Sequence, residues 1–416
     1  MKNIRADIAV IGGGPAGLAA AIEARRQGAE KVVIIERDFQ LGGILPQCIH
    51  DGFGLLRFEE RMSGALYAQK FIDELKETDI EVFLDTMVLE ITKEKKIIAC
   101  NSTDGIVEVD AGAVILAMGC RERTAAQILL YGYRPAGVMT AGSVQRYINI
   151  EGYLPGKKAV ILGSGDIGLI MARRMTLEGI EVEGVYEVMP NPGGLTRNIV
   201  QCLEDYNIPL HLSHSVTRVH GKDKLKGVTV AQLDEKREPI KETERYIECD
   251  LLVLAVGLIP ENELSKGIGV EMDPKTKGPV LDNHFMTSEP GVFAAGNVSV
   301  VFDLVDYVSQ SGEIAARNAV RYIRGELKAP EAYCEVQKSG NVNFVVPQRI
   351  AAGSEGEEAS FFMRVKTPQM NAKLECLGEG GEIAKKGYVR VAPPEMLSMT
   401  AKIPAGSGVT FEIKEG

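Results

Sequence analysis

The stretch Asp7-Ile8-Ala9-Val10-Ile11-Gly12-Gly13-Gly14-Pro15-Ala16-Gly17-Leu18-Ala19-Ala20-Ala21 constrains this chain more than any other. An apolar run of strand length stops at glycines, and an alanine-rich segment of helical character begins at once. Gly12, Gly14 and Gly17 fill a G-x-G-x-x-G pattern in which each glycine has its own steric task. Gly12 permits the tight turn, Gly14 lets backbone N–H groups approach a pyrophosphate, and Gly17 lets the helix pack close to the strand. The positive end of the helix dipole, with Pro15 and Ala16 in its first turn, then faces the phosphates. A second apolar run, Lys31 to Ile35, ends at Glu36, where a carboxylate can bind ribose hydroxyls. A lone glycine pattern is weak evidence. Framed by a strand, a helix and a strand-ending acid, it specifies a dinucleotide module.

The same arrangement occurs a second time. Lys158 to Leu162 reads as a strand, Gly163-Ser164-Gly165-Asp166-Ile167-Gly168 as the turn, and a helix runs on to about Leu177. The next strand, Glu181 to Tyr186, ends at Glu187. Eighteen residues separate Gly17 from Glu36 and Gly168 from Glu187 (positions 18–35 and 169–186). Each copy closes with a similar strand, Val114-Ile115-Leu116-Ala117-Met118-Gly119 and Leu252-Val253-Leu254-Ala255-Val256-Gly257. Random glycine clusters would not reproduce an acid at equal spacing and a matching final strand, so the chain holds two dinucleotide modules.

At 416 residues the chain is too long for one compact core, and two or three domains are expected. Between the modules' motifs lies a glycine loop, Gln40 to Gly54, with too many glycines for a stable helix. A helix is predicted over Arg61 to Thr78 with Leu66, Phe71, Ile72 and Leu75 inward, then strands near Glu81–Phe83, Met87–Ile91 and Lys96–Ala99. After the second module come a short strand, Gly291 to Asn297, and a helix from about Asp303 to Ile323. Past Pro330 the texture changes to short strands near 341–346, 360–366, 373–377, 388–391, 397–403 and 409–413, which suggests a small all-β domain.

Composition removes several functional classes. A net charge of -10 argues against a nucleic-acid partner. No apolar run approaches the roughly 20 residues of a spanning helix. The first apolar run contains Asp7 and is broken by glycines, so it does not read as a signal peptide. Seven cysteines are scattered (Cys48, Cys100, Cys120, Cys202, Cys249, Cys334, Cys376) and never form C-x-x-C, which fits a reduced, cytoplasmic protein without its own zinc or iron–sulfur site.

With these residues in hand, the chain resembles the two-dinucleotide-binding-domain flavoproteins, the superfamily of glutathione reductase, thioredoxin reductase and NADH oxidases. The resemblance covers about residues 5 to 325. It implies an α/β fold of two Rossmann-like domains, an FAD domain at 1–124 and 258–329 interrupted by an NAD domain at 125–257, followed here by the all-β domain at 330–416. In that superfamily an apolar strand ending in Gly-Asp contacts the flavin's ribityl-phosphate. Val292 to Asn297 matches it, with Asn297 in place of the acid. Narrower likenesses lie in Gly42-Gly43-Ile44 through Gln47-Cys48-Ile49-His50, in Met118 through Thr124, in Gly163 through Arg174, and in Asn297 through Val308. They look like the NADH-dehydrogenase-like subunit of dye-linked proline dehydrogenases, opine oxidases and hydrogen cyanide synthase, and a flavoprotein encoded beside glycerol-3-phosphate dehydrogenase. The resemblance implies a hetero-oligomer with a partner flavoprotein dehydrogenase and, for a further candidate, an iron–sulfur subunit.

The expected FAD residues are Gly12, Gly14, Pro15, Ala16 and Gly17 at the turn and Glu36 and Arg37 after the second strand. Gly42, Gly43 and Ile44 in the glycine loop, Ala117, Gly119 and Arg121 after the closing strand, and Gly296, Asn297 and Val308 late in the chain complete the set. The expected NAD residues are Gly163, Gly165, Asp166, Ile167, Gly168, Glu187 and Gly257. Glu187 would accept hydroxyls and repel a 2′-phosphate, which favours NAD, whereas Arg197 folding back would favour NADP. The helix from Asp303 could present its N-terminal N–H groups, with Tyr307 and Val308, to the flavin. Cys48 reads either as a flavin-facing thiol or as a buried loop cysteine, and His50 as a proton carrier or a structural histidine. His211, His214 and His220 read as solvated strand positions, without the carboxylate or cysteine that would complete a metal site. No second cysteine lies near Cys48 and no histidine follows His284, so disulfide reduction is not expected. The expected function is hydride transfer between NAD(H) and FAD within such a complex. Two alternatives remain open: a stand-alone NADH oxidase or peroxidase using Cys48, and a non-catalytic nucleotide-binding scaffold.

Overall fold

In the computed structural model, which describes residues 2–404 and 408–416, the first apolar run forms the strand Lys2–Ile11. It lies parallel between Val32–Ile35 and Gly105–Leu116. Glu81–Phe83 extends the sheet on one side, and Val292–Ala294 pairs in parallel with the end of Gly105–Leu116. Met87–Ile91 and Lys96–Asn101 add an antiparallel meander. Every residue of Val32–Ile35 is buried, as a parallel strand covered on both faces requires. The helices Pro15–Arg26 and Val305–Ile323 pack against each other so closely that a Cβ on Gly312 would lie 2.2 Å from the Ala16 carbonyl oxygen.

Residue contacts divide the chain into two compact units, Met1–Cys120 with Pro260–Gly416, and Arg121–Ile259. The second unit carries a five-stranded parallel sheet in the order Val138–Thr140, Leu251–Leu254, Lys158–Leu162, Glu181–Glu187, Leu210–Leu212. Beside it His214–His220, Gly227–Gln232 and Arg245–Ile247 form an antiparallel meander.

The helix expected over 61–78 is shorter, Gly64–Lys76, because Ser63 caps it by accepting the Leu66 N–H at 3.2 Å. Its inward face differs as well. Leu66 is 46% exposed, and Tyr67 is buried in its place, its hydroxyl 2.9 Å from Ser309 Oγ. A tyrosine can enter a core when its hydroxyl finds a partner there.

Past residue 330 all six expected strands are present, and most are longer, such as Gln369–Gly378 and Gly381–Val391. Three short ones, Tyr333–Glu335, Gln337–Gly340 and Arg349–Ala351, escaped the sequence because they carry too few apolar residues for a pattern. No helix occurs among the described residues of this stretch. The strands enclose their own core around Phe361, Leu374 and Phe411, while Val346, Phe362 and Met396 join the core of the first sheet. No helix among the described residues is long and apolar enough to cross a membrane.

Candidate functional site: two glycine turns

In the first unit, Gly12 takes φ +106°, and a Cβ there would lie 2.5 Å from the Ala117 carbonyl oxygen. A Cβ on Gly17 would lie 1.9 Å from the Gly12 carbonyl oxygen. Those two glycines are demanded by the protein itself. Gly14 is not, since a Cβ there meets nothing nearer than Gly43 Cα at 3.8 Å. The helix that starts at Pro15 has no side-chain cap and no acid in its first turn, so its amides are left for an anion.

Glu36, almost fully buried, accepts the Gly13 N–H at 2.6 Å on Oε2 and the Asp38 N–H at 2.8 Å on Oε1. Each carboxylate oxygen keeps acceptor capacity for a further hydroxyl. Gly42 (φ +106°) donates its N–H to the Gly13 carbonyl at 2.8 Å and so brings the glycine loop against the turn. The late segment arrives at the same place. A Cβ on Gly296 would lie 2.7 Å from Ala16 Cβ and 3.2 Å from Val308 Cγ1. Asn297 accepts the Phe302 N–H at 3.0 Å and sets its amide nitrogen 3.5 Å from Cys120 Sγ.

Other candidates lie elsewhere or do other work. Arg37 is exposed and pairs with Glu261 at 3.0 Å, and Ile44 is 58% exposed. Gly119, at φ +73°, accepts the Glu261 N–H at 3.0 Å. Arg121 begins the second unit and is exposed. Tyr307 accepts a hydrogen bond from Ser398 of the β-rich region at 3.2 Å. Cys48 is buried against Gly64, and that burial pushes its thiol up to about 12. His50 is half-buried with its ring 5.1 Å from that of Phe53.

The second unit repeats the geometry. Gly163 takes φ +101°, and a Cβ there would lie 2.2 Å from the Ala255 carbonyl oxygen. A Cβ on Gly168 would lie 2.6 Å from the Gly163 carbonyl oxygen, while one on Gly165 meets only Ala255 O at 4.0 Å. Ala255 thus closes this turn as Ala117 closes the first, and Gly257 instead accepts the Arg123 N–H at 3.0 Å. Glu187 is also buried. It accepts the Ser164 N–H at 2.9 Å and the Ser164 hydroxyl at 2.6 Å on Oε2, and the Met189 N–H at 2.9 Å on Oε1.

Asp166 turns its carboxylate to the Leu195 N–H at 2.8 Å and the Asn198 amide at 2.7 Å. Ile167 beside it is half-buried, and Arg197 is exposed on the helix Thr196–Cys202. The three histidines are occupied locally: His211 stacks on Tyr186 at 4.6 Å, His214 bonds the Leu212 carbonyl at 2.7 Å, and His220 bonds Thr229 Oγ1 at 2.7 Å. Sequence reasoning missed Ser164, which is fully buried between Glu187 and Gly193. The signal that could have found it is a second Gly-Gly pair, Gly193-Gly194, at the offset from its acid that Gly42-Gly43 has from Glu36.

A family model for pyridine nucleotide-disulphide oxidoreductases matches residues 6–320, the span that holds both turns. The chain belongs to that family. It is therefore an FAD-dependent oxidoreductase, and the family implies FAD and NAD(P) as cofactors. The residues present fit them, with two open second glycines, two uncapped helix starts and two buried acids.

Among similar proteins, this oxidoreductase is 28% identical over 311 residues to hydrogen cyanide synthase subunit HcnB of Pseudomonas protegens, a match covering 70% of this chain and 65% of that one. It is 25% identical over 342 residues to one of the subunits of opine oxidase from Agrobacterium tumefaciens, covering 77% and 66%. The chain thus spans just under two thirds of the length of these relatives. Among solved structures, a thioredoxin reductase from T. acidophilum aligns with TM-score 0.62 at 26% identity, covering 76% of this chain and 98% of that one.

Proposed function

We propose that this oxidoreductase is a cytoplasmic subunit that passes hydride between NAD(H), held by the second unit, and FAD, held by the first. It exchanges electrons with a partner flavoprotein that handles a small organic substrate of the amino-acid or glycerol-3-phosphate class. The observation that carries this reading is the duplication in atomic detail of glycine turn, open second glycine and backbone-anchored acid, one copy in each unit. The relatives named as subunits of hydrogen cyanide synthase and opine oxidase support a partner.

Bound together, the two cofactors would supply the hydride exchange itself, between nicotinamide C4 and flavin N5. The protein's residues bind and orient. The N-terminal amides at Ala16 and Gly17 hold one diphosphate, and those at Ile167 and Gly168 the other. Glu36 and Glu187, each fixed by backbone N–H groups, accept ribose hydroxyls. The fixed charge of Glu187 repels a 2′-phosphate, which favours NAD over NADP. The Cys48 thiol, pushed up to about 12, stays protonated at neutral pH and offers no nucleophile, which speaks against a peroxidase built on it.

Rapid mixing of the FAD-loaded protein with NADH is expected to bleach the flavin absorbance, and NADPH to do so far more slowly. Cys48→Ser is expected to keep NADH–dye activity. A protein that takes up FAD yet shows no bleaching with either nucleotide sinks this reading and leaves a scaffold. Loss of activity in Cys48→Ser would instead restore the thiol mechanism.

A further inference from the structure

The two modules share more than a turn and an acid. In each, a glycine pair stands six and seven residues past the acid, Gly42-Gly43 after Glu36 and Gly193-Gly194 after Glu187. In each, the first glycine of the pair donates its N–H back to the turn, Gly42 to the Gly13 carbonyl and Gly193 to Ser164 Oγ, both at 2.8 Å. A helical turn starts nine residues past each acid, at Leu45 and at Thr196.

We propose that Gly193–Leu195 is a dinucleotide-binding strap of the NAD(H) site, held against the glycine turn by Ser164 and Asp166. It is the counterpart of Gly42–Ile44 in the first module. The inference rests on the reading of the second unit as the NAD(H) site, and it adds a wall to that site.

The room at the first glycine of the pair supports it. A Cβ on Gly194 would lie 2.9 Å from the Ser164 carbonyl oxygen, a backbone atom, and 2.7 Å from Leu169 Cδ1, so the protein's own packing favours glycine there. Gly193 is different. A Cβ there would lie 3.6 Å from both the Gly165 nitrogen and Ser164 Oγ, an ordinary contact. Neither packing nor a positive φ demands glycine at 193, yet the vacant position faces the backbone amide of the turn's open glycine. A missing side chain beside a phosphate-facing amide is the space into which a ligand's backbone-hugging diphosphate fits.

Ser164 and Asp166 hold the strap by separate bonds. The Ser164 hydroxyl donates to Glu187 at 2.6 Å and accepts the Gly193 N–H, so one buried side chain couples the acid to the strap. The first module lacks this device, because Gly13 stands where the second has Ser164, and a Cβ there would press on Leu41 Cδ2 at 2.5 Å. Asp166 accepts the Leu195 N–H at 2.8 Å, which ties the far end of the strap to the start of the helix Asp166–Leu177. Ser164 and Asp166 are positioning residues, and Gly193 is the one that leaves room for the ligand.

The test uses the FAD-loaded full chain, with NAD⁺ binding followed by calorimetry and NADH-driven flavin reduction by rapid mixing. Gly193→Val is expected to raise the Kd for NAD⁺ about tenfold or more, the scale of one side chain forced into an occupied space. The thermal midpoint should be unchanged. Ser164→Ala is expected to weaken NAD⁺ binding and to narrow the preference for NADH over NADPH. Should Gly193→Val not fold, the milder Gly193→Ala decides, with a smaller rise in Kd. Folded Gly193 variants that bind NAD⁺ as the unaltered protein does would overturn the strap. An unaltered protein that neither binds NAD⁺ nor is reduced by NADH would overturn the NAD(H) reading itself.

Discussion

The three glycines of the first turn look alike in the sequence, but they answer to different demands, and substitutions separate them. Alanine at Gly17 would set a methyl 1.9 Å from the Gly12 carbonyl oxygen, a backbone atom that cannot move aside. Gly17→Ala is therefore expected to destabilise the fold by about 1–3 kcal/mol or more, read as a lowered thermal midpoint. Gly14→Ala meets nothing nearer than 3.8 Å, so it should fold normally and lose flavin, read from the ratio of flavin to protein absorbance. Normal flavin content in Gly14→Ala would remove Gly14 from the site. At this scale the glycines and both acids were readable because their spacing is fixed by local geometry. Ser164 was not, because its partners Glu187 and Gly193 come from a strand end and a returning loop, 23 and 29 residues along the chain.

Among the elements, the strand Glu358–Val365 shows what periodicity could and could not reveal. Its neighbours Phe361 and Phe362 point to opposite faces, as successive strand residues must. Phe361 packs near Phe411 in the β-rich core, with ring centres 4.8 Å apart. Phe362 meets Phe302 at 5.1 Å and Tyr307 at 5.4 Å, on the side of the first sheet. The sequence announced strands here, but nothing in it said that both faces would be covered, since that depends on elements about 60 residues earlier (302 to 362). Phe362 is fully buried, so Phe362→Ala is expected to cost about 3–5 kcal/mol, read as a lower urea midpoint. Because Phe302 and Tyr307 follow the late segment of the proposed flavin site, flavin retention should fall with it. A variant as stable as the unaltered protein would mean that the β-rich region is only loosely attached.

At the scale of the molecule, burial raises the thiols of Cys48 and Cys249 to about 12 and that of Cys376 to about 11, from an ordinary value of 9. As pH climbs past 9 the unfolded chain loses these protons while the folded protein keeps them. Unfolding is then favoured, so stability should fall between about pH 9 and pH 11. Urea midpoints across that range check this, and Cys249→Ala should flatten the decline. A profile equally steep in that variant would assign the loss to other groups. The order of elements along the chain has a further consequence. The sheet begun by Lys2–Ile11 is finished by Val292–Ala294 and covered by Val305–Ile323, with residues 121–259 as a separate unit between them. On the ribosome the second unit is fully synthesised and free to fold while the first still lacks a strand and a helix. The first glycine turn is made before residues 121–259, and the elements that complete its unit, Val292–Ala294 and Val305–Ile323, are made after them. On the proposed assignment, flavin capture waits until the second unit has been made.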